Sequence, residues 1–197
     1  MKMKYRFKVK KMSSKVLNYQ GKLLDPLNLV ESDLDNLGMQ LAVTLSRVQR
    51  FWSQCRESYT VAQHCLSLVK QAEEDNLNTN VQKWLLAHEA YEGLTGLDVP
   101  SPIKHSPAYK PYLEAEEKCL TLFAKRYELT PPMPKIVKTL DKRVMVTEAE
   151  ALMPYNEEVK WRDMYGEPYA KLYKLGAKNN EIRNDFISKW LELFSRL

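Results

Sequence analysis

Along most of the chain, apolar positions recur every three or four residues between turn signals, which is the spacing of helices with one buried face. Ser32 or Asp33 reads as the N-cap of a first helix running to about Trp52. A second helix is expected over about 59–74, ending before the polar turn Asp75-Asn76-Leu77-Asn78, and a third over about 81–91, broken by Gly93 and Gly96. A loop containing Pro100, Pro102, Pro107 and Pro111 leads into a helix over about 112–126. The run Thr130-Pro131-Pro132-Met133-Pro134 separates that helix from one over about 135–152. Beyond Met153 the pattern is irregular until Asn180, after which Ile182, Phe186, Trp190 and Phe194 mark one apolar stripe at four-residue steps. The expected fold class is an all-α bundle.

The first residues follow a different period. Met1, Met3, Tyr5, Phe7 and Val9 alternate with basic positions, which suits a short strand, and residues 17–24, with Gly21, are expected to pair with this leader as a small β-hairpin. Lys2, Lys4, Arg6, Lys8, Lys10 and Lys11 give the leader six positive charges and no acid. The whole chain carries only +5, so everything after the leader is slightly negative. The basic excess is therefore a local extension over 1–15, attached to a single domain over 16–197. Nucleic acid is disfavoured as a partner, because charge runs usually solvate a face. The leader also lacks the apolar stretch of a secretory signal.

With 197 residues, 44% hydrophobic and 28% charged, the chain suits one folded domain and excludes disordered and collagen-like classes. No apolar run reaches membrane-spanning length, so no membrane partner is expected. Cys55, Cys65 and Cys119 are odd in number and widely spaced, which argues against a disulfide framework or thiolate zinc site and for a cytoplasmic location.

Ionisable residues inside the apolar stripes change the picture. Val61, Cys65 and Leu68 form the inward stripe of the second helix, and His64 falls on it; Trp84, His88 and Tyr91 share a face of the third, with Glu89 and Glu92 close by. In the fifth helix Asp141 lies among Val137, Leu140, Val144 and Met145, with Glu148 two turns on. A lone inward histidine is usually a hydrogen-bonded core residue, and Asp141 alone could pair with a lysine. Imidazoles and carboxylates converging from three helices instead suit a divalent cation, which neutralises the charge and satisfies the lone pairs. The zincin motif is absent, since Glu92 stands where its second histidine belongs.

The order His64, then His88-Glu89, then Asp141 resembles the H…HD…D pattern of the HD-domain phosphohydrolases. Tyr59-Thr-Val-Ala-Gln-His64 is similar to the segment holding the first metal histidine in their phage-type and 5′-deoxynucleotidase branches. His88-Glu89-Ala-Tyr-Glu92 through Gly96-Leu-Asp98 to Pro102-Ile103-Lys104 resembles their HD-x-x-E…GD…P-x-K stretch. Val137-Lys138-x-x-Asp141 with Thr147-Glu148-Ala149 resembles the last metal helix, and Tyr19-Gln20-Gly21-Lys22, Asp25-Pro26 and Arg50-Phe51 the N-terminal part. The similarity covers roughly residues 16–153. It departs at Glu89, where the family has aspartate, and at Leu97, which must be an insertion for Asp98 to match the family's aspartate.

The resemblance implies an HD-type bundle that hydrolyses deoxynucleotides, either as a triphosphohydrolase of the dATP-removing kind or as a 5′-monophosphatase. It implies a divalent cation (Zn, Co, Mn or Mg) on His64, His88, Glu89 and Asp141, with Glu92 and Asp98 as catalytic residues. Arg50 and Lys104 are candidates for phosphate oxygens, with ordinary surface charge as the alternative. Phe51 and Trp52 stand where related enzymes place an aromatic beside the deoxyribose; plain core is the other reading of Trp52. Tyr112 and Glu116 match family positions and are taken as structural, and His105 as exposed and uninvolved. A homo-oligomer in the cytoplasm, the host's if phage-encoded, is expected on the same basis, the last helix serving either an interface or the core. Glu89 and the displaced Asp98 keep a second expectation open, a catalytically impaired HD-fold module that binds a nucleotide or a protein.

Overall fold

A computed structural model describes residues 15–195 and is mostly helical. The leader's expected strand lies outside the described residues. A hairpin forms without it: β1 (Val16–Leu17) pairs antiparallel with β2 (Leu23–Leu24) in the register Val16 to Leu24 and Leu17 to Leu23. Asn18 closes the loop by accepting from the amides of Gln20 and Lys22, and Gly21 takes the positive φ the turn requires.

The single helix expected up to Trp52 is three pieces. A 3₁₀ turn (Glu31–Leu34) is followed by α1 (Leu37–Leu45) and then by a separate turn, Arg50–Ser53. Asn36 enters the left-handed region immediately before α1. After α1 the chain is drawn away from helical bonding: Gln49 bridges Thr60, and the Arg50 amide donates to the Tyr59 carbonyl.

α2 (Val61–Glu74) starts where Thr60 and Gln63 form a reciprocal capping box, and α3 (Thr79–Ala87) starts at the Asn78 cap. The third expected helix breaks at His88-Glu89, earlier than its glycines indicated, and resumes as α4 (Ala90–Thr95), which ends at Gly96 with φ 74°. Gly93 lies inside α4 because a Cβ there would stand 2.2 Å from Leu41 Cδ2 of α1. The Pro-rich loop holds the short α5 (Ser101–Lys104), followed by α6 (Lys110–Arg126), α7 (Lys135–Leu152), the short α8 (Trp161–Tyr165) and α9 (Asn179–Phe194).

α1 packs on α4 and α9, α2 on α3, and α7 closes over both α2 and α3. Leu37, Leu41, Leu68, Trp84, Phe123 and Phe186 are buried at the centre. Ile182, Phe186, Trp190 and Phe194 of α9 are all buried, so that stripe belongs to the core. On α7, Val137, Leu140 and Val144 point inward as expected, whereas Met145 is half-buried and Val146 takes the interior place. Among the described residues no helix is long and apolar enough to cross a membrane.

Gly38 marks the tightest contact of α1 with α9. A Cβ there would stand 2.4 Å from the Trp190 indole, which is itself hemmed in by Phe123, Tyr127 and Phe194. Gly38→Ala is expected to destabilise the fold by about 1–3 kcal/mol, read as a lower urea midpoint at unchanged slope.

Candidate metal centre

Four side chains from three parts of the fold meet behind α7. α2 supplies His64, the break between α3 and α4 supplies His88 and Glu89, and α7 supplies Asp141. His64 Nε2 lies 3.3 Å from His88 Nε2 and 3.2 Å from Asp141 Oδ1. His88 Nε2 lies 3.4 Å from Glu89 Oε1 and 3.8 Å from Asp141 Oδ1. Donors about 2.1 Å from a shared ion stand ~3.0 Å apart at right angles and ~3.4 Å apart in a tetrahedron, so the spacing fits one cation.

The outer nitrogens decide the tautomers. His64 Nδ1 donates to Glu148 Oε1 at 2.8 Å, and His88 Nδ1 donates to the Leu85 carbonyl at 2.9 Å. With both Nδ1 atoms committed as donors, neutral imidazoles turn two Nε2 lone pairs toward each other, an arrangement that a cation between them satisfies. The carboxylates call for positive charge at the same point, which a proton on His88 supplies when no cation is bound. Burial opposes charge on His88, yet Glu89 and Asp141 lift its pKa to about 10, and Asp141 is held well below its ordinary value, against burial, by the two histidines. The group can hold a metal ion, with His64, His88 and Glu89 buried and the Asp141 side chain 35% exposed, which leaves a way in.

Around this group lies a ring of buried ion pairs. Glu148 is fully buried and divides its carboxylate between His64 and Arg50, whose Nε donates to Oε2 at 3.1 Å. Burial would raise the Glu148 pKa; Arg50 and His64 override that and hold it below its usual value. Arg50 Nη1 also lies 3.7 Å from Asp98 Oδ2, and among the described residues Nη2 has no hydrogen-bond partner. Asp98 therefore stands at Arg50 and outside the metal-capable group.

Glu92 is buried, with one oxygen on Lys104 at 3.0 Å and the other, Oε2, without a partner. Burial first, then Glu89 and Asp98, push its pKa well up. Lys104 is held between Glu92 and Glu116, 2.9 Å from the latter. Glu89, Glu92 and Glu116 form a second acidic group, and this one contains the chain's own ammonium.

Phe51, Trp52 and Ser53 all adopt positive φ (51°, 52° and 60°), at a cost of ~1–3 kcal/mol each. The core reading of Trp52 does not hold: its side chain is 51% exposed, and its indole N–H donates to the Asp98 carbonyl at 3.0 Å. Phe51 packs nearly perpendicular to Trp161, ring centroids 6.3 Å apart, with the Arg50 guanidinium over its ring. Tyr112 is buried against Tyr91, and His105 is exposed.

Two partners escaped the sequence reading. Glu148 was placed on the inward stripe without a site role, although its spacing of seven from Asp141 puts both on one face. Glu116, taken as structural, is the second carboxylate on Lys104. No protein-family model matches this chain, and no curated protein matches it either.

Proposed function

We propose that this protein is a metal-dependent phosphohydrolase of the HD-domain type acting on deoxynucleotides, as a triphosphohydrolase or a 5′-monophosphatase. One observation carries the reading: two buried imidazoles face each other through Nε2 at 3.3 Å, their Nδ1 atoms fixed by Glu148 and Leu85, with Glu89 and Asp141 beside them. His64, His88, Glu89 and Asp141 would hold a divalent cation, which when bound polarises a phosphoryl oxygen and lowers the pKa of water.

The chain's own residues would do the rest. Glu92 is assigned the proton transfer with the attacking water: it is buried next to Glu89, Lys104 holds its Oε1, and its Oε2 has no partner among the described residues. Arg50, buried, fixed through Nε by Glu148 and close to Asp98 through Nη1, offers Nη2 to a phosphate oxygen. Asp98 positions Arg50 from the opposite side. Lys104 holds Glu92 in place and supplies positive charge at the rim. The cytoplasmic location and the homo-oligomer belong to this proposal and rest on the resemblance alone.

The test is hydrolysis of dATP and dAMP in parallel with Mn²⁺, Co²⁺, Zn²⁺ and Mg²⁺. Release of triphosphate or of phosphate, abolished by a chelator, supports the reading; no product with any of these metals refutes it.

A second reading is favoured by one feature, the capture of Lys104 by Glu92 and Glu116 and of Arg50 by Glu148 and Asp98. A protein whose phosphate-seeking cations stay so engaged would bind nucleotide without turnover. Nucleotide binding by calorimetry in the absence of any product would select it.

A further inference from the structure

Arg50 is held on a third side by an element that lies beyond residues 16–153, outside the family resemblance. Glu148 takes Nε and Asp98 lies beside Nη1, so two carboxylates engage the edge of the guanidinium. Its flat face meets the Phe51 ring, with Cζ 5.5 Å from the ring centroid, where the negative face of the ring attracts a cation. Phe51 does not hold that place by itself. It stands in a run of three left-handed residues, a backbone that persists only where its surroundings over-determine it. Trp161 supplies one such surrounding. Its ring meets Phe51 at 82° with 6.3 Å between centroids, the perpendicular geometry that aromatic pairs favour.

Trp161 is itself fixed. It opens α8, which packs on α7, the helix that carries Asp141 and Glu148. The next residue, Arg162, binds both oxygens of Glu150 on α7, at 2.6 and 2.8 Å, and Glu167 at 3.0 Å. Arg143, also on α7, donates to the carbonyls of Glu167 and Pro168 just past α8. Tyr165 stacks on the Trp161 ring, 27° from parallel. One support therefore reaches Arg50 twice, through the Glu148 carboxylate at its edge and through Trp161 and Phe51 at its face.

We propose that Trp161 is a positioning residue for the phosphate contact: it clamps Phe51 against the face of Arg50 and so fixes the direction in which Nη2 is offered. The proposal rests on the reading of Arg50 as a phosphate contact. It gives Phe51 a task at the guanidinium instead of at the sugar, so Trp161 must act on anions that carry neither sugar nor base.

The test uses such an anion. For the wild type, Trp161→Ala, Trp161→Phe, Phe51→Leu and the double variant Phe51→Leu/Trp161→Ala, binding of inorganic phosphate is measured by thermal-melt titration with Mg²⁺ present. For the same proteins kcat and KM are measured for dATP and dAMP with Mn²⁺. Trp161→Ala should weaken phosphate binding about 3- to 30-fold and raise KM alike, with kcat changed less than about 2-fold, and Trp161→Phe should restore most of the loss. In the Phe51→Leu background Trp161→Ala should add almost nothing, because it acts through that ring. The metal-induced rise in melting temperature should match the wild type in every variant, which a general loosening of α7 would not allow.

Unchanged phosphate binding in Trp161→Ala, or full additivity of the two substitutions, overturns the proposal. So does a loss seen with dATP or dAMP but not with phosphate, which would put the ring against the nucleoside. A wild type that binds no phosphate overturns it together with the role of Arg50. If no nucleotide is hydrolysed but phosphate binding falls as stated, the positioning role stands and the hydrolase reading falls. Should Trp161→Ala not fold, Trp161→Leu, which keeps apolar bulk without a ring, takes its place in every comparison.

Discussion

Asp141→Asn is expected to weaken divalent-cation binding by more than about 100-fold and to remove hydrolysis with it. Loss of an outer-shell partner alone costs 10–100-fold in metal affinity, and Asp141 stands in the inner set, 3.2 Å from His64 Nε2 and 3.8 Å from His88 Nε2. The amide keeps the size and one weak oxygen but gives up the charge that offsets the ion. A thermal melt supplies a readout free of turnover. Metal at a hundred times its dissociation constant stabilises the wild type by about 2.7 kcal/mol, and the variant should show almost none of that gain at the same concentration. His88→Ala should behave alike, while His105→Ala, at an exposed position just past the end of α5 and outside the metal-capable group, should retain the full metal response. Equal metal-induced shifts in Asp141→Asn and the wild type would remove Asp141 from the site.

The sequence was informative where structure is set locally. α7 begins and ends where the pattern indicated because Pro134 and Pro154 bound it in the chain itself, and α2 begins at a capping box formed by Thr60 and Gln63, three residues apart. The inward direction of His64, His88 and Asp141 was readable for the same reason, since helical spacing puts each on a known face of its own helix. What was not readable depends on distant partners. The chain turns left-handed after Arg50, where a side chain is tied to Glu148, 98 residues away, and an amide to the Tyr59 carbonyl. The third helix breaks at His88-Glu89 with no glycine or proline there, and only the position of these two side chains in the centre gives the break a purpose. Lys104 offered a charge for phosphate, but its partner Glu116 lies on α6, whose packing against α5 periodicity does not reveal.

Glu148 is where metal and phosphate handling meet, and its two variants should fail in different ways. Glu148→Ala leaves the buried Arg50 with only the 3.7 Å contact to Asp98 and leaves His64 Nδ1 without an acceptor. Removing one partner of a buried ion pair costs about 3–5 kcal/mol, so this variant should unfold at markedly lower urea and also bind metal 10–100-fold more weakly. Glu148→Gln keeps a carbonyl oxygen for the His64 Nδ1–H but turns an amide N–H₂ toward Arg50 Nε–H, donor against donor. It should therefore retain most of the metal affinity while losing stability and the placement of Arg50, and the rise in KM should exceed the loss of metal binding. The acid dependence follows from the same carboxylate. Arg50 and His64 hold its pKa below the ordinary 4.5 despite burial, so its contribution is complete above pH 4.5 and is lost as the pH falls through the lower folded value. Glu148→Gln has no such group to protonate, and its stability deficit relative to the wild type should shrink as the pH is lowered from 5 toward 3. A deficit that stays constant over that range would mean that the charge of Glu148 is not what its pairing with Arg50 and His64 contributes to the fold.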